Sequence, residues 1–387
     1  MSDLKKHFLL DPKVVFLNHG SFGAAPRPVV EASHAWLMRL ERQPVAFLGR
    51  EWNSLMHESR LALGEYLNAD ADDLVYIPNA THGVNIVARS MSLSPGDEIL
   101  GTDHEYGACD YTWDFVCKKA GANYIRQPIS LPLRSRAEII EEFWAGVTSR
   151  TKAIYLSHIT SPTALRLPVE EICRRAREAG ILTIVDAAHS PGQIQVDLQA
   201  LGADFVTGNC HKWMLNVKGA GFLYARREVQ PLIQPLIVSW GYDPTPETTT
   251  GSAFIDLLQW TGTSNPMAAL TVPTAIRFMR DQAWDMVRTE CHALLRLAIE
   301  KICELTDLPP PYPLDSECYS QMGIAPLPPS NFPALKKRLY DEYRVEVPLT
   351  QWRDRQFVRI SVQGYNTRSD IDALVEALRL LLPQVAI

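Results

Sequence analysis

The 387-residue chain has no paired-cysteine pattern: its seven cysteines include no CxxC and no zinc-like spacing. Such an odd, dispersed set argues against a disulfide framework and fits reduced thiols, so a cytoplasmic address is expected. No run of eighteen apolar residues occurs, which excludes an ordinary membrane-spanning helix. The opening Met1-Ser-Asp-Leu-Lys-Lys-His-Phe-Leu-Leu10 lacks an apolar core long enough for a signal peptide, and none is expected. Basic residues never cluster beyond pairs such as Lys5-Lys6 and Lys336-Lys337, and the net charge is −6. Neither nucleic acid nor an anionic membrane is therefore expected as a partner. The pair Gly219-x-Gly221 has no third glycine and no helix after it, so a dinucleotide-binding loop is a poor reading. Internal repeats and low-complexity tracts are also missing.

What is present is ordinary for a globular protein with a sizeable core: 46% hydrophobic and 21% charged residues. The length favours two domains. Short apolar runs alternate with helical periodicity: Val14–Leu17, Leu74–Ile77, Glu98–Thr102, Ala122–Ile125, Ala153–Ser157 and Thr183–Asp186 read as strands. Helices are expected near 108–120, 136–145 and 168–179, and a long helical pattern starts at Met267. Farther on, Gln321–Pro326 and Phe357–Val362 are strands flanking a helix near 331–343. This alternation predicts an α/β fold: a large domain with a mostly parallel, doubly wound sheet, and a smaller α+β C-terminal domain. The expected boundaries are 1–25 for an N-terminal segment, 26–265 for the large domain and 266–387 for the small one.

Chemistry concentrates where strands end. Phe205-Val206 reads as the close of a strand, broken by Thr207-Gly208-Asn209 into a turn that presents His211 and Lys212. An amine held this way suits an aldehyde cofactor carried as a Schiff base. Asp186 closes the preceding apolar strand, and a buried carboxylate there would hold the proton on a pyridinium nitrogen. Lysine and aspartate together point to pyridoxal phosphate. A structural cap for Asp186 and a surface position for Lys212 are the alternatives, and Lys218 is the nearest rival amine. Asn79-Ala80-Thr81 lies between a strand and a helix start, which makes an anion site or a plain N-cap. Arg359 sits on an apolar strand, where a guanidinium needs either a substrate carboxylate or an internal acid. Asp186, His189 and His211 could be read as a metal cluster of a hydrolase, but Lys212 would then have no purpose; no metal is expected. A protein that binds the cofactor without catalysis is opposed by the retained lysine and aspartate.

The ordered set Phe16–Gly23, Asn79–Thr81, Asp103–Tyr106, Asp186–His189, Gly208–Lys212, Gly262-Thr263 and Arg359–Ser361 resembles the fold-type I pyridoxal-phosphate enzymes of aminotransferase class V, in particular isopenicillin N epimerase-like members. The resemblance implies pyridoxal 5'-phosphate as cofactor and a small-molecule amino-acid substrate, with Lys212 as the Schiff-base lysine. It places the N-terminal segment over the cofactor, with Asn18 or His19 contacting substrate. It implies an aromatic ring on the cofactor from His104 or Tyr106, with His104 favoured by position. His189 then meets the phenolic oxygen, unless it is a core histidine, and Asn209 and His211 meet the phosphate. Thr263 is expected to reach the neighbouring site of a homodimer. Epimerisation, β-elimination from a cysteine-type substrate and transamination all remain open, since each begins with α-proton removal; an acid on the opposite face could be His104, Tyr106 or His19. Val345–Trp352 contains no cysteine, so persulfide chemistry of the desulfurase kind is not expected.

Overall fold

A computed structural model describes residues 4–387. Twelve strands follow one another among the described residues: β1 (Val15–Phe16), β2 (Leu74–Ile77), β3 (Glu98–Thr102), β4 (Asn123–Gln127), β5 (Thr151–Ser157), β6 (Leu182–Ala187), β7 (Phe205–Asn209), β8 (Gly221–Ala225), β9 (Met322–Leu327), β10 (Val345–Glu346), β11 (Leu349–Trp352) and β12 (Arg355–Ser361). Seven of them form one sheet in the order β2-β8-β7-β6-β5-β3-β4. Its contacts from β4 across to β7 are parallel, and β8 runs antiparallel to both neighbours. The sheet is thus mostly parallel, as the strand–helix alternation requires.

Side chains alternate across this sheet and fill two cores. Val75, Ile77, Ile99, Tyr155, Ile184, Phe205 and Leu223 pack on one face with helices Ala80–Ser90 and Gly107–Ala120. Leu74, Tyr76, Leu100, Ile154, Leu156, Val185, Val206 and Phe222 face the opposite way, towards helices such as Val169–Glu178. A second sheet, antiparallel in the order β11-β12-β9, packs on the 23-residue helix Trp284–Thr306. The helical pattern from Met267 is two helices, because Ala283 takes a left-handed conformation, with φ of 49°, between them.

Two features depart from the sequence expectation. β7 does not break at Thr207 but continues to Asn209, because Thr207 and Gly208 pair with β6 on one side and β8 on the other. Glycine is required there: a Cβ at 208 would lie 2.6 Å from the ring of Phe222. The turn begins at Cys210 instead. The stretch 345–352, which is assigned no strand above, supplies β10 and β11. Through β10 the small sheet's neighbourhood is tied to the start of the chain, since β1 pairs with β10 in parallel register, Val15 with Val345 and Phe16 with Glu346. Among the described residues, no helix is long and apolar enough to cross a membrane.

Candidate active site

Parallel strands bring their carboxyl ends to one edge, and ligand sites of open α/β sheets form there. A cavity of about 400 Å³ opens at that edge, at the ends of β2, β5, β6 and β7. Its wall includes Asn79, Ala80 and Thr81 from the first helix start, Ser157 from β5, and Asp186 with His189 beyond β6. Asn209, His211 and Lys212 come from the end of β7, and Tyr106 and Ser161 from adjoining loops.

Lys212 follows β7 in a turn that Gly23 makes possible. The N-terminal segment presses so closely on this turn that a Cβ at 23, where φ is 71°, would sit 2.2 Å from the carbonyl oxygen of His211. The amine of Lys212 is lowered to a pKa of about 8 by burial, opposed by the charge of Asp186. It lies 3.2 Å from Nε2 of His189. Lys218 is elsewhere, donating to the carbonyl of Gly23 at 3.0 Å.

Asp186 is buried at the end of β6, and burial raises its pKa. One oxygen accepts from the amide of Ala188 at 2.8 Å; the other accepts from the Tyr155 hydroxyl at 3.3 Å and faces the Cys109 thiol at 3.8 Å. At the helix Ala80–Ser90, Asn79 accepts from the His82 amide, so its side chain is a cap. The side chain of Asn209 accepts from the Ala80 amide at 2.9 Å and docks this helix start onto β7. The start of this helix thus lines the cavity with the positive end of its dipole, a setting suited to phosphate. Asp186, His189 and His211 do not converge on one point: each has its own protein partner, and no metal-holding group of three acidic, His or Cys side chains occurs among the described residues.

Arg359 lies one layer behind the cavity wall. Its Nη1 donates to the backbone oxygen of Ser161 at 2.5 Å and faces that residue's hydroxyl at 3.2 Å; its Nη2 donates to Ser21 at 3.1 Å. Its Nε has no partner and, among the described residues, no carboxylate pairs with it. Burial lowers its pKa to about 10. The internal-acid reading of this arginine is thereby removed, and a buried cation with a spare donor remains beside the cavity.

Two expected contacts are not where the sequence put them. His104 does not face the cavity. Its ring is fully buried, stacked on Trp352 with centroids 4.5 Å apart, and its nitrogens meet Thr163 at 2.8 Å and the Ile129 carbonyl at 3.0 Å. Tyr106, the half-exposed ring two residues on, lines the wall instead. His19 is likewise buried, held between the Tyr365 hydroxyl at 3.0 Å and the Lys212 carbonyl at 3.1 Å. Asn18 donates to Glu346, so the loop lends Ser21 and Phe22 to the cavity rather than Asn18 or His19. Thr263 is exposed and is not part of this cavity. From sequence, substrate contacts are expected in the stretch 158–163, which contains Ser161, whereas Ser21 and Ser157 are not singled out, because a lone serine carries no periodic signal.

A fold of this topology, with lysine, buried aspartate and a helix N-terminus around one cavity, defines a fold-type I pyridoxal-phosphate enzyme. The apo cysteine desulfurase from Thermococcus onnurineus NA1 has the same fold, with a TM-score of 0.83 at 20% identity, covering 99% of this chain and 98% of that one. The family model for aminotransferase class V matches residues 15–314, and the chain belongs to that family. An isopenicillin N epimerase from Amycolatopsis lactamdurans is 34% identical, covering 98% of both chains. A probable chloroplastic L-cysteine desulfhydrase from Arabidopsis thaliana is 26% identical, covering 96% of this chain and 84% of that relative. The chain is an isopenicillin N epimerase-like enzyme of class V whose cofactor is pyridoxal 5'-phosphate.

Proposed function

We propose that the enzyme inverts the α-carbon of an amino-acid substrate, with Lys212 moving the α-proton and Arg359 holding the substrate carboxylate. The observation that carries this reading is a pair of buried cations, an amine of lowered pKa in the cavity wall and, one layer behind it on Ser21 and Ser161, a guanidinium without an acidic partner. When bound, pyridoxal phosphate supplies an electron sink that weakens the bonds at the substrate's α-carbon.

Each residue then has a task set by its surroundings. Asp186 would hold the proton on the ring nitrogen, and the Tyr155 hydroxyl and Ala188 amide keep that carboxylate aimed. The helix start at Asn79–Thr81, with His211, would take the phosphate. With a pKa of about 8, roughly one Lys212 in ten is a free base at pH 7, against about one in several thousand for an ordinary lysine. Arg359 would orient the substrate through a charge-assisted fork. Of the three residues considered for an acid on the opposite face, only Tyr106 lines the cavity; we assign it the aromatic contact with the ring and the hydroxyl at the mouth.

The epimerase reading is favoured over β-elimination by the 34% and 32% identities to isopenicillin N epimerases, against 26% to the desulfhydrase. The test is incubation with a panel of L-amino acids and cysteine conjugates in D₂O, scoring chirality, deuterium at the α-carbon, pyruvate, ammonia and sulfide. Inverted product carrying deuterium, without pyruvate, is expected. Pyruvate and sulfide without inversion would replace the reading by a carbon–sulfur lyase.

We also assign the enzyme to a homodimer in the cytoplasm. Phe22, Val238, Trp240 and Tyr242 are large and well exposed, as a covered surface would require, and Thr263 is free to reach a second copy. All seven cysteines are free thiols, which supports a reducing compartment. The division into 1–25, 26–265 and 266–387 is supported by the two distinct sheets, one built from residues 74–225 and the other from residues 322–361.

A further inference from the structure

Lys212 is followed by Trp213, a fully buried residue in the same turn. Its indole is fixed on several sides. The ring lies 5.0 Å from that of His19, a Cβ at Gly20 would stand 3.5 Å from its edge, and its backbone carbonyl is pressed against Gly192. From this position Nε1 points at Nδ1 of His189, 3.2 Å away. An indole nitrogen donates and never accepts, so Nδ1 of His189 has to be the unprotonated nitrogen. Burial and the neighbouring cations Lys212 and Arg359 keep this imidazole neutral. Its single proton therefore sits on Nε2, 3.2 Å from Nζ of Lys212.

We propose that Trp213 is a positioning residue that locks His189 in the Nε2–H tautomer, so that the histidine always presents a donor to the lysine nitrogen and to what that nitrogen carries. The proposal rests on the reading of this cavity as the pyridoxal-phosphate site. Without the indole N–H, the two neutral tautomers of an imidazole differ little in energy, and the Nδ1–H form would turn a lone pair on the lysine. A donor at this point favours the free amine of Lys212; a lone pair favours its ammonium form. Trp213 thus acts on the reacting nitrogen through one intermediate ring, touching no substrate itself.

The test reads the histidine directly. Nitrogen-15 spectra of the full-length protein, stripped of cofactor, should show His189 with protonated Nε2 and bare Nδ1. In Trp213→Phe the same spectra should show a mixture of tautomers. In the protein reloaded with pyridoxal phosphate, this variant should shift the pH midpoint of the visible absorption band by about half a unit or more. If Trp213→Phe does not fold, β-(3-benzothienyl)alanine at position 213 keeps the ring shape and replaces the N–H by sulfur. A wild-type His189 carrying its proton on Nδ1 overturns the proposal, as does a folded variant with unchanged tautomer and midpoint. Because the tautomer is read without cofactor, this failure is distinguishable from failure of the cofactor reading, which would show as a protein that binds no pyridoxal phosphate.

Discussion

Nε2 of His19 lies 3.1 Å from the carbonyl oxygen of Lys212, and a carbonyl can only accept, so this buried histidine is a donor there. Its Nδ1 correspondingly accepts from the Tyr365 hydroxyl at 3.0 Å. The N-terminal segment thereby holds the backbone of the lysine turn from behind. In His19→Phe, two buried polar groups lose their partner, at a cost of about 1–3 kcal/mol each. We expect a lower denaturation midpoint and a reduced kcat, measured by urea titration and steady-state kinetics; unchanged values for both would remove the bracing role.

Lys212→Ala should give a protein that no longer turns yellow with pyridoxal phosphate and cannot be labelled by borohydride at this position. Turnover should fall by about 10³-fold or more, the scale of losing a positioned base. Wild-type activity should rise with pH towards 8, since the amine's pKa is lowered to about 8 and only the free base can take a proton. A pH–rate profile flat from 6 to 9 would contradict this.

For Arg359→Met, activity and stability should move in opposite directions. The guanidinium is buried without an acidic partner, so an apolar side chain of similar length removes a desolvated charge and should leave the melting temperature unchanged or raised. Loss of the carboxylate fork should raise KM and lower kcat/KM by about 30-fold or more. Calorimetry together with kinetics checks both halves, and a destabilised variant of normal KM would make the arginine purely structural.

Glu105 is buried beneath the cavity wall, accepting from the Ser157 amide and hydroxyl and from Thr102. Burial raises its pKa from the ordinary 4.5 to about 8. The folded state therefore holds a proton that the unfolded chain releases, and this contribution is complete below pH 4.5 and lost as pH rises towards 8. Glu105→Gln, which cannot ionise, should flatten the decline of stability across that window in urea titrations at stepped pH. An unchanged slope would show that other groups dominate.

At low pH the sign reverses. His158 is buried with neither ring nitrogen hydrogen-bonded, Nε2 lying 3.9 Å from the Glu170 carboxylate, and its pKa is lowered from 6.5 to about 3 by burial and by Arg166 and Arg136. Being neutral in the fold, it contributes stability that is present above pH 6.5 and lost as pH falls through 6.5 towards 3. His158→Leu gives up no hydrogen bond and should unfold at a lower pH than wild type in an acid titration. Equal acid midpoints would mean that this ring is not the sensitive group.

The large sheet was legible because buried parallel strands read as continuous apolar runs: Leu74–Ile77 and Glu98–Thr102 appear with their expected bounds. Gly208 and Asn209 misled because glycine and asparagine signal turns locally, whereas two neighbouring strands and the ring of Phe222 hold them extended. Lys212 and Asp186 are found together at strand ends, where the sequence suggested. Choosing between His104 and Tyr106 is beyond local pattern, since the orientation of a loop ring is set by what stacks on it, here Trp352 on His104 from a strand 248 residues away. The roles of Ser21 and Trp213 are hidden for the same reason: they exist only through partners distant in sequence.

The pairing of Val15-Phe16 with Val345-Glu346, continued by Asn18 beside Ser361, has a consequence for biosynthesis. The central sheet is encoded before residue 226 and can assemble while translation continues. Val15, Phe16 and Asn18 have no strand partner until the segment 345–361 has been made. In a nascent chain the lysine turn is thus backed by a segment whose own anchoring strand is still missing.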